Sequence, residues 1–200
     1  MGYRDRWISH AGAVTRHYEV ALHVFDREAP TEPVRLLDVG VENGGSLEVW
    51  RDVLPEGSTV LGIDCDPRCA DLGLDVKILD VTDRDAVKEA LRGQWFDFIV
   101  DSTGTMSPWT WAFLRPGGRI VFEGYELEAV QNLVQEVARD GESWLPVEEI
   151  MRVTVFPHIF VVEKRHARVL PYIEIMVGNF ADVVSERDLI DGGVKRVLVD

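Results

Sequence analysis

VRLLDVGVENGGSLEVW, residues 34–50, runs from an apolar segment through a glycine-rich turn into an amphipathic segment. A short, unbroken apolar run fits a strand buried on both faces, the usual state of a strand in a parallel sheet. Residues 45–54 then read as a helix, with Ser46 expected as its cap. In open α/β sheets, ligands sit beyond the carboxyl ends of the strands. The loop at 38–46, DVGVENGGS, is therefore the first candidate site. Against the spacing G-x-G-x-x-G, Gly40 is the first glycine and Glu42 stands where the second should be. A carboxylate there repels a pyrophosphate at close range. No G-K-[ST] follows, which excludes a Walker loop.

Outward from this stretch, apolar runs and helical periods alternate. Residues 3–27 read as a helix, with Ile8, Ala11, Val14, Tyr18, Ala21, Leu22 and Phe25 on one stripe. Pro30 and Pro33 end it. Strands are expected at 34–40, 59–64, 75–81, 95–101, 119–124, 147–156 and 158–164. LRPGG (114–118) reads as a turn, and helices are expected at 83–93 and 126–139. Alternation of this kind implies a mostly parallel α/β sheet covered on both faces, and the closing hairpin around Pro157 implies an antiparallel last strand. The division is 1–33 as an N-terminal helical cap, 34–164 as the ligand-binding domain and 165–200 as a C-terminal extension. The extension contains two strand-like pieces and is expected to pack on the core or on a second subunit, as in a homodimer.

The net charge of −14 repels polyanions and argues against a nucleic-acid partner. No apolar run approaches the length of a membrane span, so no membrane partner is expected. The first residues, MGYRDRWISHAG, lack an apolar signal core. Two cysteines, Cys65 and Cys69, are too few for a structural zinc site and read as free thiols of a cytoplasmic protein.

S-adenosylmethionine carries no phosphate, and its sulfonium is positive, so an acidic glycine loop suits it. Gly40, Gly44 and Gly45 would let the backbone approach its methionine part, and Asp38 would orient the loop or meet the amino group. DVGVENGGS followed by GIDCDP, FDFIVD and LRPGG resembles the class I S-adenosylmethionine-dependent methyltransferases. The resemblance is closest to the macrocin/mycinamicin O-methyltransferase and cephalosporin-hydroxylase-like group, through LLDVGVENGGSLEVWRDVLPEGSTVLGIDCDP (36–67). It covers roughly residues 18–163. It implies a Rossmann-like fold with a mostly parallel seven-stranded sheet, helices on both faces and an antiparallel last strand.

The resemblance also implies roles. Gly40, Gly44, Gly45 and Ser46 hold the cofactor, Asp64 accepts from both ribose hydroxyls, Asp80 meets the adenine edge, and Val81 lines the ring. Asp101 stands where methyl donor and acceptor meet. Each aspartate also has a plain reading as a turn or cap residue.

The pattern departs from the resembled group where the chemistry lies. Metal-dependent members read D-D-G-S-H after the fourth strand, whereas this chain reads Asp101-Ser102-Thr103-Gly104-Thr105. Their fifth strand ends in an acidic pair, and here Glu123-Gly124 stands instead. Magnesium requires several hard oxygen ligands, so no metal is expected. Three accounts follow: transfer by proximity alone, a different base, or cofactor binding without transfer. The catalytic candidates are Asp101, Glu123 and His10, with Tyr125, Glu126, His17 and His158 as weaker substitutes. Trp109 and Trp111 read either as an aromatic wall for a flat acceptor or as core or dimer contacts. The expected activity is methyl transfer to a small molecule, a hydroxyl of a secondary metabolite. Its rivals are a non-catalytic cofactor-binding scaffold and a non-methylating use of the same cofactor.

Overall fold

A computed structural model describes residues 30–105, 108–124, 149–156, 159–166, 174–177 and 197–199. The helices expected at 3–27 and 126–139, together with His10, His17, Tyr125, Glu126 and His158, lie outside the described residues. The first elements are β1 (Arg35–Val39), α1 (Gly45–Val53), β2 (Thr59–Asp64), a 3₁₀ helix (Pro67–Leu72), β3 (Val76–Ile78) and α2 (Arg84–Ala90). They are followed by β4 (Phe96–Asp101), a second 3₁₀ helix (Pro108–Phe113), β5 (Leu114–Glu123), β6 (Ile150–Phe156) and β7 (Ile159–Lys164). Two short strands, β8 (Glu174–Val177) and β9 (Val197–Val199), close the series.

The strands form one sheet in the order β3-β2-β1-β4-β5-β7-β6-β8-β9. Strands β1 to β5 pair in parallel, and β7 runs antiparallel to both β5 and β6. The first seven strands thus form the expected sheet, with β7 reversed. The extension adds β8 and β9 as parallel strands outside β6.

Side-chain alternation explains why both faces are covered. Along β1, Leu37 and Val39 enter one core cluster, while Val34 and Leu36 enter the other. Along β7, Phe160 and Val162 face the first cluster, and Ile159 and Val161 the second. Helix α1 closes one face with Val49, Trp50 and Val53. Helix α2 closes the other through Val87, with Leu91 just beyond its end. The pair Phe122 and Phe160 stacks across β5 and β7 with centroids 4.6 Å apart.

Three local expectations are corrected. LRPGG is not a free turn, because β5 begins at Leu114; the ladder with β4 shifts between Phe96 and Phe98, and Gly117 takes φ 79°. The strand expected at 75–81 is only Val76–Ile78, because Asp80 turns the chain by accepting from the Thr82 N–H at 2.8 Å. Ser46 does not cap α1. Gly44, in the left-handed region, occupies the cap position, and Ser46 lies within the first turn.

Candidate functional site

Two polar regions lie at the carboxyl ends of the strands. The first joins the glycine loop to the loop after β2. It encloses a cavity of about 480 Å³ lined by Glu42, Asn43, Asp64, Asp66, Arg68 and Leu72, a size typical of small-molecule sites. Asp64, the last residue of β2, is half-buried. Its Oδ2 accepts from the Glu42 N–H at 2.9 Å and its Oδ1 from the Asp66 N–H at 2.8 Å. A carboxylate offers about four acceptor positions, so the two backbone amides do not exhaust it.

The same loops are pinned from below. Asp66 caps the following 3₁₀ helix by accepting from the Arg68 N–H at 2.9 Å, and it forms an ion pair with the Arg68 side chain. These bonds hold the Asp66 carboxyl below its ordinary range, the Arg68 side chain first and its backbone amide second. The Asn43 side chain accepts from the Gly45 N–H at 3.1 Å. The turn needs glycine at Gly44 for its φ of 83°, and a Cβ there would also crowd Leu74 Cδ1 at 2.8 Å.

The second region is a group of buried carboxylates, Asp38 on β1, Asp101 on β4 and Glu123 on β5. The Asp38 pKa is pushed from 3.8 up to about 7, chiefly by burial. A hydrogen bond from Ser46 opposes this shift, and the charges of Glu123 and Asp101 add to it. Asp38 Oδ2 is buried with no hydrogen-bond partner among the described residues. The residue expected as a helix cap therefore serves this carboxyl instead.

The loop after β4 is tied inward. Ser102 Oγ lies 3.2 Å from both the Val39 and Gly40 carbonyl oxygens. Asp101 Oδ1 accepts from the Thr103 hydroxyl at 2.6 Å and from the Thr103 N–H at 3.0 Å. Thr103 and Thr105 hydroxyls are 2.8 Å apart. Gly40, at φ 94°, packs against this loop, and a Cβ there would lie 3.0 Å from Ser102 Oγ.

No family model matches the sequence, and no curated protein does. Solved structures do match. The MycE methyltransferase from the mycinamycin biosynthetic pathway, in complex with Mg and SAH, gives a TM-score of 0.57 at 18% identity, covering 98% of this chain and 56% of that one. The same enzyme with Mg, SAH and mycinamycin VI gives 0.53 at 21% identity, covering 75% and 48%. A ribosomal protein methylase from Lactobacillus delbrueckii subsp. bulgaricus gives 0.53 at 15% identity, covering 76% and 79%. The fold is that of the class I methyltransferases. This chain spans about half the length of the MycE chains it matches.

Within the class I fold, the expected site residues divide between the two regions. Asp64 lines the cavity, and Gly40, Gly44 and Gly45 shape the loop beside it. Asp38, Asp101 and Glu123 form the buried group, joined by Ser46. Asp80 stands exposed at a turn, where the Thr82 amide and then the Thr82 hydroxyl hold its carboxyl below the ordinary range. Val81 is buried in the core cluster with Val87 and Leu91. Trp111 is core, its indole N–H bonding Glu149 at 2.9 Å. Trp109 packs beside that core and donates to the Thr82 carbonyl at 3.2 Å, so the two do not make a wall. Glu42 enters the sequence argument as an obstacle to phosphate and as the acid of a loop suited to a sulfonium, and the structure sets it beside Asp64. Asn43 and Asp66 fall within the quoted motifs without an assigned role, while Arg68 and Leu72 carried no sequence signal. The described residues contain no helix long and apolar enough to cross a membrane.

Proposed function

We propose that this chain is an S-adenosylmethionine-dependent methyltransferase acting on a small-molecule acceptor, a hydroxyl of a secondary metabolite, without a catalytic metal. The observation that carries this reading is the Asp64 carboxylate, held by two backbone amides at the lining of the cavity. It fits a ribose diol. Arg68 pairs with Asp66, so Glu42 and Asp64 leave the cavity lining net acidic, which favours a cationic ligand over a phosphorylated one. The unpartnered Asp38 Oδ2, beneath the glycine loop, fits an ammonium group directly or through water.

When bound, S-adenosylmethionine supplies an electrophilic methyl group on a sulfonium. The residues of this chain then have three tasks: Asp64 fixes the ribose, the glycine loop holds the methionine part, and the loops around Asp101 orient the acceptor. Placement of two reactants can supply a large part of such a barrier reduction. Magnesium fits poorly. Ser102 directs its hydroxyl at main-chain carbonyls, Thr105 pairs with Thr103, and Gly124 offers no side chain. Among the described residues no group of three acidic, histidine or cysteine side chains could hold a metal ion. The inward-turned hydroxyls also favour a second reading, cofactor binding without transfer.

A thermal-shift titration with S-adenosylhomocysteine tests the proposal. At about 100 times its dissociation constant the ligand should stabilise the wild type by roughly 2.7 kcal/mol, and Asp64→Ala should lose most of that shift. A folded wild type with no shift would sink the reading. Production of S-adenosylhomocysteine from S-adenosylmethionine in an acceptor screen separates transfer from binding alone.

A further inference from the structure

The Glu42 peptide is gripped on both sides. Among the described residues Glu42 is the only non-glycine with positive φ, at 51°, a conformation that L side chains disfavour. Its N–H donates to Asp64 Oδ2 at 2.9 Å, and its carbonyl accepts from the Cys69 thiol at 3.1 Å. The Cys69 N–H donates to the Asp66 carbonyl at 3.1 Å, and the Asp66 N–H returns to Asp64 Oδ1 at 2.8 Å. Four residues from two loops thus close a ring of hydrogen bonds around the Asp64 carboxylate.

Cys69 is 1% exposed yet belongs to neither hydrophobic core cluster. Its sulfur faces the Glu42 carbonyl and the Asp64 carboxylate instead. Burial first, and then the carboxylates of Asp64 and Asp66, push the thiol pKa up. The group therefore stays protonated at neutral pH and remains a donor.

We propose that Cys69 is a positioning residue for the cavity: its thiol proton holds Glu42 in the left-handed conformation and so sets the Asp64 carboxylate for a vicinal diol. The ligand side of this proposal rests on reading the cavity as the S-adenosylmethionine site. The ring itself does not depend on that reading.

The test compares wild type, Cys69→Ala and Cys69→Ser, which lose similar volume and differ in a donor. In ligand-free protein, exchange of the Glu42 amide hydrogen is followed by NMR. Affinity for S-adenosylhomocysteine is measured by calorimetry. Cys69→Ala should speed exchange and weaken binding roughly three- to tenfold, the usual range for one lost hydrogen bond. Cys69→Ser should stay within about twofold of wild type in both. Unchanged exchange in Cys69→Ala would overturn the proposal, as would normal affinity despite faster exchange. Equal losses in Ala and Ser would also overturn it, because a filling role moves both alike. A wild type that binds no S-adenosylhomocysteine while the exchange contrast holds would remove the cofactor reading and leave the ring standing.

Discussion

The ends of β2 and of β1, β4 and β5 treat carboxylates in opposite ways. Asp64 stands half-exposed, with a backbone amide on each oxygen and a cavity before it. Asp38, Asp101 and Glu123 are crowded together away from solvent, and the Asp38 pKa rises to about 7. One arrangement leaves a carboxylate at a cavity, while the other buries three and raises the pKa of Asp38. The difference teaches that one edge of a sheet can hold carboxylates in opposite environments. Ser102 and Thr103 adjoin the second of these, and their hydroxyls are bonded to this chain.

Breaking the buried side gives the largest expected effect. Between pH 3.8 and about 7 the folded protein keeps a proton on Asp38 that the unfolded chain has released. Its contribution is fully present below the lower value and is lost as pH rises through the upper one. Asp38→Asn should therefore raise stability at pH 8 by on the order of 4 kcal/mol and flatten the fall between pH 5 and 8. Urea unfolding at the two pH values checks this, and an unchanged slope in the variant would remove Asp38 as its source.

The seam between the two regions comes next. Gly40→Ala puts a side chain at φ 94° and 3.0 Å from Ser102 Oγ. It should cost about 1–3 kcal/mol and weaken S-adenosylhomocysteine binding, with denaturation and calorimetry as the readouts. An alanine accepted without loss of either would show that loop and strand end are not tightly coupled. The smallest effect is expected from magnesium. Adding it, or a chelator, should change S-adenosylhomocysteine affinity by less than about twofold, because among the described residues no group of side chains is arranged to hold the ion. A restored affinity or activity on magnesium addition would show that the β4 end opens to a metal.

Legibility in the sequence followed the range of the interaction. A mostly parallel sheet could be anticipated from alternating apolar runs and helical periods, and its seven strands from the resemblance. Asp64 was placed by the resemblance, at the end of the apolar run GID, and the structure sets it on the cavity. Ser46 misled because its position fits a cap, while Gly44 two residues earlier already supplies the left-handed turn. LRPGG misled because proline and glycines mark turns, and here they sit in a strand that absorbs a register shift. Cys69 had no signal at all, since its partner is 27 residues away and the contact exists only in three dimensions.

The spacing of these contacts along the chain has a kinetic consequence. The cavity and its hydrogen-bond ring draw only on residues from Glu42 to Leu72, whereas the buried carboxylates come from as far apart as Asp38 and Glu123. Closing a longer loop costs more chain entropy, and contacts distant in sequence are slow to form. The cavity loops are thus a local assembly, while the carboxylate group needs β4 and β5 to dock. Loop length alone therefore favours formation of the cavity ahead of the buried carboxylate group.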